Sequence, residues 1–521
     1  MRAVRWYVPP VLLSLCPLAI VVGANVGTVP LRGAVVARAV LFAAGAVVVM
    51  LWALRGVQRD LGARAAWLSW FLMLCNLYGA SAQGLRQLNL QIWAPDPLFA
   101  IPYVVTSAVV AAIACRPWEV RPRQPLPLTI AAALLLAVAF LPAAAEGRQA
   151  HPSWRASADR LVTAALADAP APAFVPTRDI YYIVLDGLGR ADTMAKDYGV
   201  DLTDAVEALE ARGFYVARDA RSNYTQTYLS LASTLNLNYL DDLAVAVGPA
   251  AQDRDPLDYL IQENALMRIA SRAGYRVVAI GSDFMGTQQI EQADVCICAR
   301  SGLDEVEVAA IALTPLAALP LEADALDPYE AHRRKIIDGL AALEGYERGG
   351  RRTLVFAHVV APHPPFVLAR DGTPLRPPRR PYSLADWREF AGPREEYISG
   401  YGQQTQYVLD RVVTAVDAIL RQPGPTPAIV IHGDHGPGAR WRYDGPSESA
   451  VGERMQIFAA YLFPDGAADL YPAITPVNGA RLLARRYLGA DLPPLPDRVL
   501  FSTGDRPYDL MPVTQPQSAG H

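Results

Sequence analysis

The sequence predicts an N-terminal bundle of five transmembrane helices followed by an α/β domain built on a mostly parallel sheet. Three observations lead there. Hydrophobic residues make up 52% of the 521-residue chain, and the excess lies before residue 146, in five segments of near-bilayer length. After about residue 179, β-rich runs alternate with helical runs, the pattern of parallel strands joined by crossover helices. The first of these runs, Asp179 to Asp192 (DIYYIVLDGLGRAD), ends an apolar strand on Asp186 and follows it with a turn carrying Gly187 and Gly189. A buried strand with a carboxylate at its C-terminal tip is a common way for such a sheet to present a metal ligand. The other use of an Asp there is to cap the next helix.

The five apolar segments are read as 7–27, 34–54, 65–83, 98–115 and 126–145, each near the ~20 residues a bilayer requires. The first lacks a small-residue cleavage site and is read as an anchor rather than a signal peptide. Arginines set the orientation. Arg2, Arg5, Arg55, Arg59, Arg64, Arg116, Arg121 and Arg123 fall on one side, against Arg32 and Arg86 on the other. The N-terminus is therefore expected in the cytoplasm. Everything after about residue 146 is expected on the extracytoplasmic (periplasmic) side of a bacterial-type inner membrane. Arg38, near the start of the second segment, is placed to snorkel to the outer face.

Residues 146–178 are rich in Ala and Pro and read as a linker with one short amphipathic helix, suited to the membrane surface. The α/β domain is expected over 179–505, with a disordered tail from 506 to 521. Expected strands are 180–185, 275–281, 353–359, 428–433 and 458–463. Expected helices are Leu202–Arg212, Ala265–Ala273, Pro328–Leu343, Tyr401–Leu420 and Val477–Tyr487. Residues 370–392, rich in Pro and Arg, read as a surface loop near the site. A net charge of -4 gives no global basic field for nucleic acid. GLGRAD has neither the Walker pattern nor the dinucleotide fingerprint. Cys296 and Cys298 form a C-x-C pair without zinc-finger or redox spacing; a local disulfide and two free thiols both remain open.

The candidate chemistry gathers at strand ends. Four of the seven His fall in two short stretches: His358 and His363 in FAHVVAPHPPF, and His432 and His435 in IHGDHGPG. Asp434 offers hard oxygen ligation and His435 a borderline nitrogen. With Asp186 they make a three-ligand set suited to Zn, Mn or Mg. The bland reading is a β-turn with a satisfied His. The stretch RSNYTQTYLSLASTLN supplies hydroxyls at Ser222, Thr225, Thr227, Ser230, Ser233 and Thr234. A divalent ion on a threonine oxygen lowers its pKa and makes it a nucleophile, and a helix starting there adds N–H groups for an anion. The alternative is an ordinary helix cap.

Together these motifs resemble the alkaline phosphatase and sulfatase superfamily. More narrowly, they are similar to its membrane-anchored branch of phosphoethanolamine transferases and lipoteichoic acid synthases. VLDGLGRAD stands where the first metal motif stands, the hydroxyl-rich stretch where the nucleophile stands, LVFAHVVAPHPPF where a strand carries two His five apart, and GDHG where the Asp-His-Gly ligands stand. YGQQTQYVLDRVVTAVDAIL resembles the helix before that strand. The resemblance implies an alkaline phosphatase-like three-layer sandwich. It also implies one divalent ion (Zn, Mn or Mg) on Asp186, Asp434, His435 and Thr227. Thr227 is taken as nucleophile, with Thr225 as the alternative, and His358 and His363 serve the transferred group or its leaving oxygen. Arg190, Arg440 and Arg442 are candidate anion contacts. No C/S-x-P-S-R sulfatase motif occurs, and Pro437 replaces the acidic residue that follows Asp-His-Gly in the family. The expected activity is transfer or hydrolysis of phosphoesters of a membrane lipid or envelope glycan. The alternatives are sulfuric or phosphoester hydrolysis without transfer, and a non-catalytic envelope binding protein that keeps the fold.

Overall fold

The computed structural model describes residues 4–25, 33–81, 97–120, 125–139, 154–167, 175–298, 305–318, 328–375, 384, 386, 390, 392–440 and 448–513. The chain divides into two compact units.

The first unit holds Met1–Ala150 together with Gly302–Pro328. Helices occupy all five apolar segments: Val8–Ser14 with Cys16–Asn25, then Gly33–Ala53, Leu61–Cys75, Pro97–Val120 and Leu126–Ala139. Among the described residues, one stretch, Val36–Gly56, is long and apolar enough to cross a membrane; Ala100–Ala114 and Leu126–Val138 are shorter apolar helices. The third segment is cut short because Asn76 caps its helix and donates from Nδ2 to the Leu13 carbonyl at 3.0 Å. Arg38 is not a solitary snorkelling charge. Its Nε and Nη2 pair with the two carboxylate oxygens of Glu307 at 2.9 and 2.6 Å. Glu307 sits on the helix Glu305–Ala312, so a segment from the second half of the sequence belongs to this unit, which no local pattern announced.

The second unit holds His151–Ser301 and Tyr329–His521. Its main sheet uses β1 (Ile180–Leu185), β2 (Tyr215–Val216), β3 (Arg276–Ile280), β4 (Val295–Ile297), β5 (Thr353–Val359), β6 (Ala428–His432) and β7 (Ala459–Leu462). The order is β2-β7-β6-β1-β5-β3-β4. The pairs among β6, β1, β5, β3 and β4 are parallel, and β7 pairs antiparallel with β6 and β2. The mostly parallel sheet predicted from the alternation is what forms. β1 is buried along its whole length. Its alternate side chains enter two cores, Ile180, Tyr182 and Val184 one, Tyr181, Ile183 and Leu185 the other. That is why a period-2 element reads as one unbroken apolar run.

Two expectations are corrected. The amphipathic helix of the linker, Trp154–Ala167, does not lie on a membrane surface. It buries Ala158, Leu161, Val162, Ala165 and Leu166 in the domain core, against the helices Asp241–Val247, Asp255–Gln262 and Ala265–Arg272. An apolar stripe fits protein and lipid equally well, so the sequence could not distinguish them. The stretch expected to be disordered from 506 instead starts with a strand: Arg506–Pro512 (β9) pairs antiparallel with Leu500–Thr503 (β8), and 514–521 lie outside the described residues. Cys296 and Cys298 are disulfide-bonded.

Candidate metal centre

The site sits where β5, β1 and β6 end. Val184 is in register with both His358 and His432, so the loops that follow these three strands leave side by side. This is the carboxyl end of a parallel sheet, where α/β proteins place ligands. The backbone then ties the loops together. Asp186 N–H donates to the Val359 carbonyl at 2.9 Å, and His363 N–H to the Asp186 carbonyl at 3.0 Å. The long helix Arg394–Arg421 clamps the turns from behind. Tyr401 OH donates to the Gly187 carbonyl (2.7 Å) and accepts from Gly189 N–H (3.0 Å). Gln404 accepts from Val367 and Leu368 N–H and donates to the His363 carbonyl. The turn carrying Asp434 and His435 needs glycine on both sides. A Cβ on Gly433 would meet the Leu188 oxygen at 2.3 Å, and one on Gly436 the Glu453 oxygen at 2.3 Å.

Side chains of four residues gather around His435 Nε2. His435 Nε2 lies 3.0 Å from Thr227 Oγ1, 3.5 Å from Asp186 Oδ1 and 3.3 Å from Asp434 Oδ2, and Thr227 Oγ1 lies 3.4 Å from Asp186 Oδ2. A tetrahedral ion with ligands at ~2.0–2.1 Å sets them about 3.3–3.4 Å apart. Asp186 Oδ1 and Asp434 Oδ2 are buried and have no hydrogen-bond donor among the described residues. Asp434 Oδ1, by contrast, accepts from Gly187 N–H at 2.9 Å. An orphaned buried carboxylate oxygen costs about 1–3 kcal/mol, a cost that a bound cation would remove. The residues fit a divalent ion.

The imidazoles are oriented for it. Nδ1 of His435 lies 2.9 Å from the Gly436 carbonyl and Nδ1 of His363 lies 2.7 Å from the Pro364 carbonyl. A carbonyl only accepts, so each Nδ1 carries a proton and each Nε2 faces the site, where a neutral ring offers its lone pair. Asp186, His363 and His435 each offer a ligand atom within 4.8 Å of the others, so His363, assigned from sequence to the transferred group, is also close enough to hold the ion. His358 Nδ1 lies 2.7 Å from Thr287 Oγ1, and its Nε2 stands 3.4 Å from Asp186 Oδ2. His432 is turned into the sheet, its Nε2 3.0 Å from Tyr182 OH.

Charge balance follows from the same packing. Burial alone would push the Asp186 carboxyl up, but the rings of His363, His358 and His435 override it and hold it well below the ordinary range. Burial works against protonation of His363, yet Asp186 and Asp386 win and raise it. Burial and then Arg454 lower His435, keeping it neutral as a ligand must be.

Thr227 opens the helix Thr227–Leu235, with Gln226 at its N-cap. The Thr225 hydroxyl points elsewhere, donating to the Ser502 carbonyl at 2.9 Å. Ser222 Oγ lies 2.5 Å from the Asp434 carbonyl, and Ser233 donates to the Asn238 carbonyl; both brace loops. The arginines singled out from sequence are engaged by carboxylates. Arg190 forms a bidentate pair with Asp192 (2.7 and 2.8 Å), and Arg440 pairs with Asp197 at 2.6 Å. Arg442 lies outside the described residues. Sequence reasoning missed Arg454 and Asp386, which pair beside His435. Neither sits in a motif, and they are 68 residues apart.

No family model matches the chain, and no curated protein matches it. Solved structures that it resembles include the C-terminal periplasmic domain of EcEptC from Escherichia coli, at 13% identity and TM-score 0.41, over 67% of this chain and 96% of that one. The integral membrane lipooligosaccharide phosphoethanolamine transferase A from Neisseria meningitidis aligns over 91% of this chain and 94% of that one, at 14% identity and TM-score 0.35. A putative sulfatase from Bacteroides thetaiotaomicron aligns over 61% and 72%, at 13% identity and TM-score 0.36. At such scores the likeness carries no chemistry, which rests on the side chains above.

Proposed function

We propose that this chain is a member of the alkaline phosphatase and sulfatase superfamily, acting as a membrane-anchored, metal-dependent phospho-group transferase or hydrolase. The observation that carries this reading is the buried cluster of Asp186, His363 and His435, whose ligand atoms lie within 4.8 Å of one another, with Thr227 Oγ1 3.0 Å from His435 Nε2 and with Asp186 Oδ1 and Asp434 Oδ2 lacking donors among the described residues. Asp186, Asp434, His435 and the Thr227 hydroxyl would hold a divalent ion, and His363 would lie beside it. A divalent ion there supplies Lewis acidity that lowers the pKa of the threonine hydroxyl.

Thr227 gives up its proton to water and its Oγ1 attacks phosphorus. The new O–P bond forms as the bond to the leaving oxygen breaks, and a His363 or His358 ring delivers a proton to that oxygen. Water or an acceptor hydroxyl then attacks phosphorus, returns a proton to the ring and releases Thr227. Thr227, rather than Thr225, is the nucleophile on this reading because only its hydroxyl faces the carboxylates. The apolar helix Val36–Gly56 anchors the domain on the extracytoplasmic face, where lipid headgroups and envelope glycans are the phosphoesters at hand.

The test is intact-protein mass spectrometry of the full chain after incubation with membrane lipid extract and Mn or Zn, beside Thr227→Ala and Thr225→Ala. A metal-dependent adduct absent only in Thr227→Ala is expected, and its mass names the transferred group. No adduct under either metal, with phosphodiesters and sulfate esters also uncleaved, would move the non-catalytic binding reading to the front.

A further inference from the structure

We propose that the C-terminal hairpin of β8 and β9 sets the position of the Thr227 hydroxyl, and that Gln226, gripped by that hairpin, is the positioning residue between them. The inference rests on the phospho-transfer reading above and deepens it by naming what aims the nucleophile. The hairpin belongs to none of the motifs that make up the site.

Each residue from Asn223 to Gln226, the run that leads into Thr227, is tied to the stretch 498–503. Asn223 Nδ2 donates to the Arg498 carbonyl at 2.9 Å, and the Asn223 carbonyl accepts from Leu500 N–H at 2.8 Å. Tyr224 forms a parallel bridge with Leu500. The buried Thr225 hydroxyl donates to the Ser502 carbonyl at 2.9 Å. Gln226 Nε2 donates to Ser502 Oγ at 3.0 Å and to the Thr503 carbonyl at 2.9 Å, and its Oε1 accepts from Arg254 Nη2 at 3.2 Å. Arg254 Nη2 also donates to the Gly504 carbonyl at 2.7 Å, and Tyr508 OH donates to the Asp253 carbonyl at 2.6 Å. The turn and the second strand of the hairpin are thus anchored in their own right.

Gln226 is the N-cap of the helix that Thr227 opens. It is extended there (φ -130°, ψ 141°), yet its side chain makes no cap hydrogen bond. An N-cap side chain ordinarily accepts from an N–H of the first helical turn, and Ser, Thr, Asp or Asn fills the position. Here a longer amide turns away from the helix and commits both ends to the hairpin and to Arg254. It does not stabilise the helix so much as fix where the helix begins. The residue that begins it is the nucleophile, so a shift of the N-cap is a shift of Thr227 Oγ1. That oxygen lies 3.0 Å from His435 Nε2 and 3.4 Å from Asp186 Oδ2. An attacking oxygen needs to sit ~3–3.5 Å from phosphorus, and a displacement of about 1 Å costs about 100-fold in rate. Asp186 and Asp434 stand on the turns after β1 and β6, which none of the bonds to the hairpin involves. The nucleophile can therefore be misplaced while these carboxylates stay where they are.

The experiment uses the full chain in detergent and compares wild type with Gln226→Met, which keeps the length of the side chain and removes both polar ends, and with Gln226→Glu and Ser502→Ala. Hydrogen exchange of the metal-free proteins is read by mass spectrometry. Peptides covering 223–228 should exchange about 10-fold faster in Gln226→Met, while peptides carrying Asp186 and Asp434 exchange as in wild type. In the Zn-loaded proteins, metal content should stay at the wild-type level. For bis(p-nitrophenyl) phosphate, kcat of Gln226→Met should fall about 10- to 100-fold with KM nearly unchanged, the pattern of a misplaced nucleophile rather than of lost substrate binding. Gln226→Glu, which keeps the acceptor for Arg254, should recover part of the loss. Ser502→Ala, which leaves the Thr503 bond, should lose about threefold and serves if Gln226→Met fails to fold. Faster exchange with an unchanged kcat makes Gln226 a brace only and overturns the inference, as do wild-type exchange and wild-type kcat together; both leave the function reading standing. A wild type that neither cleaves the diester nor forms the threonine adduct overturns both.

Discussion

The cluster has two sides, and they are built by opposite rules. On one side Asp186 Oδ1 and Asp434 Oδ2 are buried with no donor among the described residues. On the other, His363 and Arg454 are buried groups whose remaining nitrogens are already spent, His363 Nδ1 on a carbonyl and Arg454 Nε and Nη1 on carbonyls and Asp386. The first side offers unserved oxygens that suit a cation. The second is a prepaid set of donors suited to a proton in transit. The two sides meet in one cluster, since Asp186, His363 and His435 offer ligand atoms within 4.8 Å of one another.

The largest expected effect breaks the first side. Asp434→Asn removes one of the convergent charges and a ligand. Bound metal should fall from stoichiometric to near zero in elemental analysis. On the proposed function, turnover of a generic phosphodiester should drop by about 1000-fold or more, since Thr227 would lose its activating ion. The metal-free variant, however, should unfold at a higher temperature than the metal-free wild type, because an uncompensated buried charge costs about 1–3 kcal/mol. Lower stability of metal-free Asp434→Asn would mean that the carboxylate is a structural anchor and that the comparison is wrong.

Much of the first side was legible in the sequence, and much of the second was not. β1, β5 and β6 were readable because central parallel strands are buried on both faces and leave unbroken apolar runs. Asp186, Asp434 and His435 follow such runs directly. The edge strands Tyr215–Val216 and Val295–Ile297 are too short to leave a period. Arg454 reaches His435 from the end of the helix Glu448–Met455, and Asp386 comes from the Pro- and Arg-rich loop. The sequence treats both as surface residues because only tertiary packing buries them. The same holds for Glu307, whose partner Arg38 is 269 positions away.

A smaller effect sharpens the second side. In the metal-free protein, Asp186 and Asp386 favour the protonated His363 ring against the penalty of burial. Its folded pKa thus lies above the ordinary ~6.5. The stability it contributes is complete below that ordinary value and is lost as pH rises through the raised one. A bound ion neutralises Asp186 and removes the main reason for the elevation. Metal uptake just above pH 6.5 should therefore release a proton from this ring, seen as a buffer-dependent heat in calorimetry and absent in His363→Gln. If His363 is the acid for the leaving oxygen, His363→Gln keeps its metal and loses about 10²- to 10⁴-fold in rate. Loss of the metal instead makes the ring a ligand of the ion.

The smallest effect concerns a carboxylate that lies nearby but belongs to neither side. Glu453 is buried like Asp186 and Asp434, yet both its oxygens are served: one accepts from Tyr198 OH and the other from Arg440 N–H at 2.7 Å. Burial outweighs those bonds and pushes it up to about 7. Because the folded value is raised, its contribution to stability is complete below ~4.5 and is lost as pH rises through about 7. The total is at most about 3 kcal/mol. Glu453→Gln should flatten that decline, measured by denaturant unfolding of the full chain in chelator at pH 5 and pH 8, while metal stoichiometry stays at the wild-type level. A Glu453→Gln protein that loses its metal would show that the cation-binding side extends beyond the two orphaned carboxylates. In that case the division between oxygens awaiting a metal and oxygens already paired would no longer describe this site.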